Sequence, residues 1–187
     1  MKAAVTLILV SLLAQTAAAA VAPPAPGAAT VRRQFNPASP ENRQILPTFS
    51  YTTVEPVLAQ IGARFRRAGP PAKPVLHVQF PNNRTAVLMF GSCNADGTDC
   101  KALTIQSHWT RIANSPPERT QAAIEAFNRG FSFAKAYVAS DGRPSLARYL
   151  TADFGVVRGD LAVNLLVFAN QAESFATGVL LPLEAAK

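Results

Sequence analysis

Five groups of side chains in this sequence have types and spacings from which chemistry could be built. Ser132-Phe133-Ala134-Lys135 fits S-x-x-K, the nucleophile motif of penicillin-recognising enzymes. There the serine opens a helix and the lysine follows one turn later. Here the segment predicts a strand, on which residues three apart face opposite sides. The partner motifs S-D-N and K-T-G are absent, and Ser140-Asp141-Gly142 reads as a turn. A Ser-His-Asp hydrolase needs a histidine, and the chain has two, His77 and His108. Both fall in strand-like segments and no G-x-S-x-G elbow exists, so each reads as a strand histidine. Asn94, Asp96 and Asp99 around Gly97 suggest calcium, but the twelfth loop position counted from Ser92 is Leu103 where glutamate is needed. A polar hairpin turn explains these residues better. Cys93 and Cys100 do not form a zinc spacing with the distant histidines. Arg64, Arg66, Arg67 and Lys73 cluster as candidate anion contacts. No glycine loop cradles phosphate. The sequence therefore reads as non-enzymatic, without cofactor or metal.

The ends and the composition set the context for these groups. Lys2, the apolar run Ala3 to Ala14 and the small residues Ala18-Ala19-Ala20 have the order of a secretory signal peptide, with cleavage expected after Ala20. The strong apolar part is shorter than the roughly 20 residues a spanning helix needs. The expected compartment is the periplasm or the outside. There the two cysteines read as a disulfide, contributing roughly 2.5 kcal/mol in the chain-entropy account. The net charge is +7, and +6 once Lys2 leaves with the signal. Export argues against nucleic acid and toward anionic lipid, polysaccharide or an acidic protein.

The elements that must position these residues follow from periodicity. Residues 21–47 are rich in proline and alanine and read as a flexible lead. A domain is expected over residues 48–187. Val54, Leu58, Ile61 and Phe65 predict a helix over Val54–Arg67, placing the arginines at its C-terminal end, where cations suit the helix dipole. Val75–Phe80, Thr85–Ser92 and Lys101–Trp109 predict three strands, with the cysteines at the mouth of the second hairpin. Ser115-Pro116-Pro117-Glu118 predicts a capping box opening a second helix that stops at Gly130. Phe131–Ala139 and Pro144–Leu150 predict a hairpin around Asp141-Gly142. Leu161, Leu165, Phe168, Ala172, Phe175 and Val179 predict a third helix, whose stripe could serve as core or as a homodimer seam. The expected fold is α+β, a five-stranded antiparallel sheet with three helices on one face, in the order α-β-β-β-α-β-β-α.

One stretch resembles a known family. Cys100-Lys101-Ala102-Leu103, Ile124-Glu125-Ala126-Phe127-Asn128 and Phe131 to Leu150 are similar to the bacterial YbjN domain. Phe127-Asn128, Phe133, Lys135-Ala136-Tyr137, Asp141-Gly142, Pro144 and Leu146 match the family's pattern, with Phe127 where it has tryptophan. The resemblance implies a fold like that of type III secretion chaperones and a role in sensory transduction, motility or stress regulation. It implies no active site.

The functional expectation is a non-catalytic periplasmic module, chaperone-like or regulatory, that binds a peptide or protein partner. The alternative is a basic envelope protein binding anionic lipid or polysaccharide. A small exported hydrolase is the remote third reading.

Overall fold

A computed structural model describes residues 35–186; the expected signal peptide and most of the expected lead lie outside them. Nine segments carry the α+β architecture. They are α1 (Tyr51–Gln60), β2 (Arg64–Ala68), β3 (Val75–Gln79), β4 (Thr85–Gly91), β5 (Ala102–His108), α2 (Pro117–Gly130), β6 (Lys135–Val138), β7 (Pro144–Thr151) and α3 (Arg158–Phe175). Two short strands, β1 (Ile45–Leu46) and β8 (Val156–Val157), pair as a separate antiparallel ribbon. The main sheet is antiparallel throughout, in the order β2-β3-β4-β5-β7-β6.

The sheet therefore has six strands where five are expected. The extra one is β2, cut from the end of the expected first helix. Gly62, at φ 74°, ends α1 in a left-handed conformation that costs glycine nothing. The residues that follow, Arg64-Phe65-Arg66-Arg67, alternate as a strand does. Helical spacing of Val54, Leu58, Ile61 and Phe65 had joined two elements because all four point toward one core. Ser50 caps α1 by accepting from the Thr53 backbone N–H, while Thr53 Oγ1 accepts from Ser50 N, a reciprocal capping box. The capping box expected for α2 is not formed. Pro116 holds the N-cap place, and Ser115 Oγ instead meets Thr120 Oγ1 at 3.1 Å.

One face of the sheet is packed. Leu76 and Val78, Ala86, Leu88 and Phe90, Leu103 and Ile105, and Ala136 and Leu146 alternate inward and share one core with the helices. Phe175 of α3 meets Phe127 of α2 at 5.0 Å, and Phe168 meets Phe80 at 6.5 Å. Of the expected stripe, Leu161, Leu165, Phe168, Ala172 and Phe175 are buried in the core, and Val179 is partly buried against it. After Phe175 the helix widens to a π-type turn over Ala176–Leu180 before a short last helix, α4 (Leu181–Ala185). Pro182 has no N–H for the next α-helical bond, which accounts for the irregularity.

The lead is not a free spacer over its described part. Pro40–Arg43 form a 3-10 turn, Asn42 and Leu46 are buried, and Arg158 N donates to the Gln44 carbonyl at 2.8 Å. No helix among the described residues is long and apolar enough to cross a membrane.

Candidate functional site

Among the described residues no helix covers the other face of the sheet. Strand register places its residues in transverse rows, one from each strand. The first row runs Arg66, His77, Val87, Gln106, Ala147 and Lys135. The second holds Arg64, Gln79 and Thr85 on one side, then His108, Ser145 and Tyr137. A third row, Ala68, Val75, Met89, Thr104 and Tyr149, is mostly apolar. A groove of about 620 Å³ lies across the first two rows, lined among others by Arg64, Arg66, His77, Gln106 and His108.

Charge is segregated here. All eleven aspartates and glutamates of the chain lie outside the strands of the main sheet. The open face thus presents Arg64, Arg66 and Lys135 with no carboxylate in its rows. Neighbouring strands sit about 4.8 Å apart, so the five steps from Arg66 to Lys135 span roughly 24 Å.

The structure divides the four cations that sequence reasoning grouped as anion contacts. Arg64 and Arg66 point to the open face. Arg67, one residue on, turns to the helix side. It forms a two-pronged ion pair with Glu55, at 2.6 and 2.8 Å, and stacks over the Tyr51 ring at 4.6 Å. The Glu55 carboxylate raises the pKa of Arg67 further. Lys73 sits in the β2–β3 turn, beyond Ala68, at the far end of β2 from Arg64. Arg67 is a structural residue, and Lys73 is not part of the groove.

The two histidines were missed as a pair. Read singly, each was an ordinary strand residue; the β2–β3–β4–β5 register brings both into one groove. Arg66 Nη2 lies 3.3 Å from His77 Nδ1. A guanidinium can only donate, so Nδ1 accepts and the proton of neutral His77 sits on Nε2. His108 Nδ1 lies 2.8 Å from Ser145 Oγ. Burial, and then the nearby Arg143 cation, push the His108 pKa down, with Asp141 opposing.

No match to this chain is found among protein-family models, curated proteins or solved structures. The site is therefore read from its own geometry. The His108–Ser145 pair has the contact of a base and a nucleophile, but Ser145 is fully buried and its hydroxyl also donates to the Arg143 carbonyl at 3.2 Å. Asp141 is held by Arg143 at 2.7 Å, and the Arg143 backbone N–H and guanidinium keep its carboxyl below the usual range. Ser132 lies in the loop after α2, not on the strand expected for it, and Lys135 opens β6. Among the described residues no three His, Cys, Asp or Glu side chains gather to hold a metal.

The cysteines form the expected staple. Cys93 and Cys100 are bonded, S–S 2.08 Å, across the loop that joins β4 to β5. Cys100 is buried and its backbone pairs with Phe49. At the loop tip, Gly97 has φ 80° and packs on Pro71 of the β2–β3 turn, so a Cβ there would collide with the Pro71 carbonyl oxygen.

Proposed function

We propose that this chain is a non-catalytic binding module of the bacterial envelope that docks an acidic, partly apolar protein or peptide segment on the open face of its sheet. The observation that carries this is the charge segregation: a face with Arg64, Arg66 and Lys135 and no carboxylate in its strand rows, beside the apolar row Ala68, Val75, Met89 and Tyr149. Charge complementarity supports an anionic ligand. The apolar row favours side chains over a sugar chain or a lipid headgroup. The disulfide suits an exported protein. The YbjN resemblance, with its chaperone-like fold and regulatory associations, agrees with peptide binding, although β2 adds one strand to the order it implies.

Binding of a fluorescent dodecapeptide of alternating aspartate and valine tests this reading. Affinity should be measurable by anisotropy and should weaken as salt rises. The R64E/R66E double variant should weaken binding at least tenfold, while R119E, on the outer side of α2, should leave it unchanged. Equal loss in both variants would reduce the effect to net charge. Binding of anionic vesicles or a sulfated polysaccharide, with no binding of the peptide, would replace the protein partner with the envelope surface.

A further inference from the structure

The groove holds both histidines of the chain. His77 lies in the row of Arg66, and His108 in the row of Ser145. His77 accepts from Arg66 through Nδ1. From β2 it is faced by Arg64 and Arg66, from β4 by Thr85 and Val87, and no carboxylate stands in its row. His108 is faced by Ser145 from β7 and by Arg143 and Asp141 from the β6–β7 turn, where Asp141 is already paired with Arg143. An anion laid over the groove would stand beside both imidazoles, and a nearby negative charge favours the charged form.

Building on the proposed docking face, we propose that occupation of this groove by an acidic segment is coupled to proton uptake at His77 and His108, so that the module grips its partner more tightly as the surroundings acidify. The sign follows from linkage. A bound carboxylate favours the charged imidazole, so the complex binds more protons than the free protein at mildly acid pH. Affinity must then rise as pH falls through the range in which histidines change charge. Each unit by which the ligand raises an imidazole pKa gives at most about a tenfold gain. Histidine is present nowhere else in the chain.

The test uses the same aspartate–valine dodecapeptide, because aspartate, with an ordinary pKa of about 3.9, stays largely ionised at pH 5.5. Affinity is measured from pH 7.5 to 5.5 for the wild type and for H77N/H108N; asparagine keeps hydrogen-bonding capacity and cannot gain charge. The expected result is about tenfold tighter binding at pH 5.5 than at pH 7.5 in the wild type and a change of less than twofold over the same range in the double variant. NMR titration should show both imidazole pKa values rising when peptide is bound. Binding that is independent of pH, or equally pH-dependent in H77N/H108N, overturns the coupling and leaves the docking face standing. Absence of binding at every pH overturns both.

Discussion

Asn128 shows how much a single side chain settles at the edge of this fold. Its Nδ2 donates to the Ala136 carbonyl and its Oδ1 accepts from the Ala136 N–H, each at 2.9 Å. A side-chain amide thus stands where another strand's backbone would pair with β6. Replacing it with alanine strands both groups of a buried residue, which costs about 1–3 kcal/mol. N128A should lower the urea midpoint accordingly, and N128D, which keeps only the acceptor, should fall between. An unchanged midpoint in N128A would remove the edge-sealing role. The sequence marks Asn128 as part of a pattern, but helix-to-strand pairing leaves no periodic signal, so its use is visible only in the structure. Arg67 was opaque for a related reason. Its neighbours fix its charge, yet a one-residue step on a strand reverses the face it serves.

At the scale of elements, what could be read was whatever local spacing decides. Strands β3, β4 and β5, the cysteine staple and the Asp141-Gly142 turn follow from alternation and turn chemistry, and they lie close to where those signals put them. The β2 strand was lost because a helix and a strand that share one core can share one apolar spacing, although Gly62 was available as a stop. The staple has a measurable weight. Reducing the disulfide should cost roughly 2.5 kcal/mol, a fall in Tm of about 5–10 °C for a domain of this size, with the far-UV circular dichroism of the fold retained. Loss of all ordered signal on reduction would show that the bond carries more than its loop.

At the scale of the whole molecule, the two sheet edges are closed in different ways. Three arginines guard β2, and Asn128 occupies β6. Both edges are thereby less open to pairing with another strand than the face is to docking. The domain also begins earlier than composition suggests. Gln60 Nε2 donates to Asn42 Oδ1 at 3.0 Å, and Leu46 is buried. A chain starting at Thr48 should therefore melt several degrees below one starting at Phe35. Equal melting temperatures would return residues 35–47 to the status of linker. That boundary escaped sequence reading because prolines that forbid long elements do not forbid docking against α3.

The burial of α3 on more than one side carries a consequence in time. Besides the Leu161–Phe175 stripe, Ala162, Leu166 and Ala169 are covered as well. This helix follows the last strand of the main sheet, so the part of the inner surface that α3 covers stays open until α3 has been synthesised. A nascent chain halted before Arg158 would present Phe80, Leu88 and Ile105 to its surroundings. The order of the elements thus makes the arrival of α3 the event that closes the core.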